Sequence, residues 1–143
     1  MNLAIQQAHA AAARGEVPVG AVLIGPTGTI LAEDGNRMRE HKDPTAHAEM
    51  VVLRQAARVL DQWRLDDCTL YVTLEPCIMC AGALSLARIK RICYGAGDPK
   101  GGGVTHGPRF FEQPTCHHTP EVVQDIQADA CGRILKEFFQ KRR

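Results

Sequence analysis

Leu3, Ile5, Ala8 and Ala12 recur at helical spacing through an alanine-rich opening, and Gly15 stands where such a helix stops, so the pattern predicts a first helix over residues 1–14. Val17 to Ile24 is rich in β-branched residues. Pro26, Thr27 and Gly28 then turn the chain into Thr29–Ala32, and the two runs read as a β-hairpin. A polar loop follows from Asn36 to Asp43. Asp43 before Pro44 has the form of an N-cap and first helical residue, which predicts a helix from there to about Leu60. Thr69 to Thr73 is a short β-prone run, Pro76 marks the first turn of a helix reaching about Ala87, and Ile89 to Tyr94 reads as another strand. Gly95 to Pro120 is loop-like apart from a turn of helix near Phe110, and Val122 and Val123 form an edge strand. Ala130, Cys131, Ile134, Leu135 and Phe138 share one face of a last helix over residues 125–140. Strands alternating with helices favour a helix-covered α/β sheet whose second half is parallel.

Composition narrows the picture. With 143 residues, 45% hydrophobic and 23% charged, the chain has room for one domain, 1–143, and can bury a core without disulfides. The six cysteines therefore need another explanation. Seventeen Lys and Arg against sixteen Asp and Glu leave a net charge of +1, so bulk electrostatics does not announce a nucleic-acid partner. The longest uncharged stretch, Val17 to Ala32, is too short to span a bilayer and is broken by prolines and glycines. No signal segment opens the sequence, so a cytoplasmic protein without a membrane partner is expected.

Two short motifs stand at the starts of the two central helices: His47-Ala48-Glu49, and Pro76-Cys77-Ile78-Met79-Cys80. Cys77 and Cys80 are spaced to chelate one ion from the first turn of a helix, where the free N–H groups and the positive end of the helix dipole favour thiolates. Alone, the two cysteines would read as a redox pair or half of a structural zinc site. His47 supplies a third ligand, and three ligands rather than four is the count of a catalytic zinc site. Residues two apart diverge in mid-helix, so His47 and Glu49 can both approach one metal only if their helix aims its N-terminal end at it. Zinc lowers the pKa of bound water from 15.7 to about 7, and a nearby carboxylate can carry the released proton. His-x-Glu paired with Pro-Cys-x-x-Cys is the signature of zinc-dependent nucleobase deaminases, in which the glutamate is the acid/base and not a ligand.

Within that group the chain resembles the bacterial tRNA-specific adenosine deaminases, which convert the wobble adenosine of an anticodon to inosine. The resemblance covers nearly the full length. It rests on Gly15-Glu-Val-Pro-Val-Gly-Ala21, Asn36-Arg37, Asp43-Pro-Thr-Ala-His-Ala-Glu49, Leu74-Glu-Pro-Cys-Ile-Met-Cys-Ala-Gly-Ala83, Gly95-Ala-Gly-Asp98 and Phe138-Phe-Gln-Lys-Arg-Arg143. It implies a three-layer α/β/α cytidine-deaminase-like fold around a five-stranded mixed sheet, one Zn2+ per chain held by His47, Cys77 and Cys80, and Glu49 as the proton shuttle. It further implies a homodimer acting on the anticodon stem-loop of tRNA. Asn36 would hydrogen-bond the flipped base, with Val19, Pro18 and Ala48 beside it. Asp98 and Lys100 would meet flanking nucleotides, and Phe138 would lie near the anticodon stem. The sequence departs from the family pattern at Gly101 to Gly107, where Lys-x-Gly-Ala-x-Gly-Ser is usual, and at His117-His118-Thr119. A deaminase of a free base, nucleoside or nucleotide would use the same zinc motif and is the alternative.

Other residues have plainer readings. Asn36 also suits a turn, Asp98-Pro99 a turn initiator, and Lys141 to Arg143 a solvated chain end. Cys68, Cys93 and Cys131 fit the core as small apolar residues. Cys116-His117-His118 reads as polar surface or substrate rim, and His9, His41 and His106 carry no assigned function. Of Phe138 and Phe139, adjacent on one helix, only one can face inward.

Overall fold

The computed structural model describes Met1–Arg143. Helix α1 (Asn2–Ala13) leads into β1 (Gly20–Ile24) and β2 (Ile30–Gly35), then a short α2 (Met38–His41) and α3 (Ala48–Leu60). There follow β3 (Thr69–Leu74), α4 (Ile78–Leu86), β4 (Arg91–Ala96), a 3-10 turn at Phe110–Glu112, β5 (Glu121–Val123) and α5 (Ala128–Gln140). The strands form one mixed sheet in the order β2-β1-β3-β4-β5. β1 is antiparallel to both neighbours, with Ala21 opposite Asp34 and Val72, whereas β3, β4 and β5 are parallel, with Leu70 opposite Ile92 and Ile92 opposite Val122. The hairpin, the parallel second half and the edge position of β5 all match the sequence pattern.

α1 and α3 both pack on β1 and β2 without touching each other, so they cover opposite faces. α5 joins α1 on one side, packing on β4 and β3, and α4 joins α3 on the other. Three layers result, with a cluster of 19 buried residues that includes Leu23, Leu70, Val72 and Ile92 of the sheet, Val52 and Ala56 of α3 and Leu84 of α4. Each such large side chain contributes about 1.5–3 kcal/mol on burial.

The opening helix buries a different face from the one its larger residues mark. Ala4, Ala8 and Ala11 face the sheet, while Leu3 is 38% exposed. Close approach decides this. A Cβ on Gly20 would lie 1.9 Å from the Ala4 carbonyl oxygen and 2.4 Å from the Ala8 nitrogen, and one on Gly35 would lie 2.9 Å from Ala11 Cβ. The helix backbone rests directly on the strands, and only alanine fits beneath it.

Three helices also begin later than expected, α5 at Ala128 rather than at residue 125. Asp43 does not cap α3: its Oδ1 accepts the N–H and the hydroxyl of Thr45 at 2.8 and 2.7 Å, closing a turn that competes with the helix. α3 starts at Ala48 with His47 as N-cap, and α4 starts at Ile78 with Cys77 as N-cap. The loop expected over 36–43 holds the single-turn α2, and β4 runs two residues further than Tyr94.

Candidate active site

His47 and Cys77 occupy equivalent positions, each an extended N-cap residue whose side chain makes no capping hydrogen bond. This placement resolves the difficulty of bringing His47 and Glu49 to one point, because a cap side chain projects past the helix end rather than from its wall. The first N–H of α3, that of Ala48, donates to Asn36 Oδ1 at 2.7 Å, and the imidazole takes no part in capping.

His47 Nδ1 lies 3.6 Å from Cys77 Sγ and 3.5 Å from Cys80 Sγ, and the three ligand atoms all lie within 4.8 Å of one another. Zn–N of about 2.05 Å and Zn–S of about 2.3 Å at tetrahedral angles place N and S about 3.6 Å apart. The donor triangle therefore has the dimensions of zinc ligation. Cys80, three residues on, is fully buried beneath it.

The protonation pattern favours a thiolate at Cys77. A hydrogen bond from Cys80, opposed by burial and reinforced by His47, pulls the Cys77 thiol down to about 4. The Cys80 thiol is pushed up by Cys77 and by burial, and His47 is raised by its bond to Cys77. Glu49 is 4% exposed, and burial raises its carboxyl to about 7, the poise of a group that both takes and gives protons near neutrality.

These groups open into a cavity of about 290 Å³. Of the residues singled out in the sequence, Val19, Asn36, His47, Glu49, Cys77 and Asp98 are among those that line it. Asn36 is 5% exposed and has no partner for its Nδ2 within the chain, so the amide is a donor available to the cavity. Other expected residues fall outside. Pro18 is buried but turned away, since alternate residues of an extended segment face opposite sides and Val17 and Val19 take the cavity. Ala48 is fully buried with its N–H already engaged by Asn36. Lys100 lies outside the cavity, in a groove with Lys136, Phe139, Gln140 and Arg143. Phe138 is 8% exposed and packs into the core under the Arg142 guanidinium, whereas its neighbour Phe139 is exposed beside that groove. Phe138 therefore does not present a surface to a ligand of this chain.

Sequence reasoning did not pick out Val17, Met38, Leu74, Glu75 and Gly101, which also line the cavity. Buried carboxylates fix two of its walls. Glu16 Oε1 accepts the Arg39 and Glu40 N–H groups at 2.9 Å each, holding the helix that bears Met38. Glu75 does the same for the loop after β4. Their signal was an acidic residue inside an otherwise apolar stretch. Cys68, Cys93 and Cys131 are buried as expected, and His118 spends its Nε2 on the Ile89 carbonyl at 2.7 Å, away from the cavity.

The MafB19-like deaminase family matches residues 1–143. A tRNA-specific adenosine deaminase of Agrobacterium fabrum is 53% identical over 143 residues, covering all of this chain and 93% of that protein. Another, from Haemophilus influenzae, is 46% identical over the whole chain and 83% of its own length. A solved structure from work on A-to-I editing by tRNA:A34 deaminases at the wobble position of transfer RNA superposes with a TM-score of 0.93 at 54% identity, covering 94% of this chain and 97% of that one. With the five-stranded mixed sheet, the His47-Cys77-Cys80 triangle and full-length identity in agreement, this chain belongs to the bacterial tRNA-specific adenosine deaminases, within the MafB19-like deaminases and on the cytidine-deaminase fold.

Proposed function

We propose that the protein hydrolyses the wobble adenosine of a tRNA anticodon to inosine, releasing ammonia. The observation that carries this is the convergence, in one cavity, of a zinc-sized donor triangle and the buried Glu49. His47, Cys77 and Cys80 are the residues to hold one zinc ion per chain. Bound there, zinc supplies a Lewis acid that brings the pKa of water to about 7. Glu49 takes one proton from the attacking water and delivers it to the adenine N1, where inosine keeps it, then carries the proton of the new C6 hydroxyl to the amine, which leaves as ammonia, a role worth about a hundred- to ten-thousandfold in rate. Asn36 Nδ2 donates to the extruded base and fixes its register. Val17, Val19, Met38 and Leu74 supply the apolar walls that a flat base needs to exclude bulk water.

Asp98 and Gly101 sit at the rim, where the neighbouring nucleotides would lie, and the groove of Lys100, Lys136 and Arg143 is placed to meet phosphates. The working unit in this reading is a homodimer, supported by Ile78 and Leu86 of α4, which are 52% and 71% exposed. Sedimentation at micromolar concentration giving 15.6 kDa overturns that part. The cytoplasm follows as the place where its substrate is found. No helix of the chain is long and apolar enough to cross a membrane.

Inosine formation on an anticodon stem-loop, compared with ammonia release from free bases and nucleosides, tests the function. Turnover of the stem-loop with little action on free adenosine is expected. Efficient deamination of free guanine or a nucleotide, with none on the stem-loop, would replace this reading with that of a small-substrate deaminase.

A further inference from the structure

Glu75 directly precedes Pro76 and the metal-binding helix, yet its carboxylate is spent on a loop that follows β4. Oε1 accepts the N–H groups of Val104, Thr105 and His106 at 3.2, 2.7 and 2.9 Å and the Thr105 hydroxyl at 3.1 Å. Oε2 accepts the Asp98 N–H at 2.8 Å and His106 Nδ1 at 2.7 Å. The loop thus winds around one buried anion, and glycine is what lets it close. A Cβ on Gly102 would come within 2.4 Å of the Glu75 carboxyl carbon, and one on Gly103 within 2.6 Å of the Ile78 nitrogen. The Gly103 N–H donates to the Pro76 carbonyl at 2.8 Å, which presses the loop onto the start of α4 beside Cys77.

Most of these donors are backbone groups that any sequence would offer. The His106 ring is different, because it adds a side-chain bond from the solvent edge, where its side chain is 41% exposed. Either the neutral Nδ1–H tautomer or the imidazolium can make that bond. At the far end of the same loop Asp98 and Gly101 line the cavity rim.

We propose that the His106–Glu75 contact is a positioning latch: it holds the loop from Asp98 to Val104 against α4 and so fixes the rim that meets the nucleotides flanking the target base. Its effect falls on substrate affinity and leaves the chemical step alone, because His47 and Glu49 stand at the start of α3, and the bond that meets α4 beside Cys77 is the backbone bond from Gly103 to Pro76, which the His106 ring does not make. The inference rests on the tRNA-deaminase reading for the identity of the substrate and on the loop geometry for the latch itself.

Removing the ring in His106→Ala spares the backbone bonds, whereas His106→Asn restores an amide N–H at the place of Nδ1. For His106→Ala, KM on the stem-loop should rise about five- to tenfold, with kcat within about twofold and zinc content equal to wild type. His106→Asn should return KM to within about twofold of wild type. Amide hydrogen exchange at residues 101–104 should quicken about tenfold in the alanine variant and stay near the wild-type rate in the asparagine variant. An unchanged KM and unchanged exchange in His106→Ala, or a fall in kcat with loss of zinc, overturns the latch. If wild-type protein does not act on the stem-loop, the substrate reading fails, while the exchange measurement still decides the latch without any substrate.

Discussion

Asn36 Oδ1 accepts the Ala48 N–H at 2.7 Å, so the residue that follows β2 caps the helix that carries Glu49. One amide thus serves two ends: its oxygen anchors the helix and its nitrogen faces the cavity. The two roles are separable by substitution. Asn36→Asp keeps the oxygen and should melt within a few degrees of wild type, while kcat/KM falls at least about tenfold through loss of the donor. Asn36→Ala should lose both, with about 1 kcal/mol less stability by urea denaturation and an activity no better than the aspartate variant.

Metal retention and turnover should divide between Cys80 and Glu49. Cys80→Ala removes one corner of the donor triangle, and metal analysis should find zinc largely gone. Glu49→Gln keeps the triangle and should retain stoichiometric zinc, with kcat lower by roughly two to four orders of magnitude. Stoichiometric zinc in Cys80→Ala would refute the ligand assignment. Turnover of Glu49→Gln within about tenfold of wild type would remove the proton-shuttle role.

Acid should weaken the fold in part through Asp34. Burial opposes its charge, but Arg37 at 2.8 and 2.9 Å, the Gly35 N–H at 2.8 Å and Gln55 at 3.0 Å outweigh it and hold the pKa below the ordinary 3.8. A carboxyl depressed in the folded state binds fewer protons there than in the unfolded chain, so its stabilisation is complete above about pH 4 and drains away as the pH falls. Asp34→Asn should be less stable than wild type by roughly 1–3 kcal/mol at pH 7, and the gap should narrow below about pH 4 in denaturation series.

Gly20→Ala should be among the most damaging single-methyl additions in the molecule. The new Cβ would meet the Ala4 carbonyl at 1.9 Å, and backbone cannot swing aside as a side chain can. A loss of about 3 kcal/mol or more is expected in urea titration. The same change at Gly28 has nothing within 4 Å and carries only the strain of φ +83°, so it should cost about 1 kcal/mol.

Much of this was legible because the informative signals are local. β-Prone runs and the turn at Pro26–Gly28 placed the strands, and His47, Glu49, Cys77 and Cys80 lie in two short motifs whose spacing is itself the chemistry. The misreadings share a cause. Asp43-Pro44 has the same sequence form whether it caps a helix or closes a turn, and the turn won because Thr45 offers Asp43 two donors. The buried face of α1 was set by glycines on strands that pair only in three dimensions. Glu75 was passed over because its partners lie 23 to 31 residues away, beyond any periodicity along the chain.

Glu16 and Glu75 each hold one wall of the cavity through contacts that avoid the His47-Cys77-Cys80 triangle. The reactive centre and the segments that select what enters it are therefore separately encoded. On the proposed reading, a lineage carrying this scaffold could vary the rim around Asp98 and Gly101 for a new specificity, provided Gly102 and Gly103 keep the loop closed on Glu75 and α4. Directed evolution that randomises that rim, with Glu75 and the two glycines held fixed as its anchor, starts from the same division of labour.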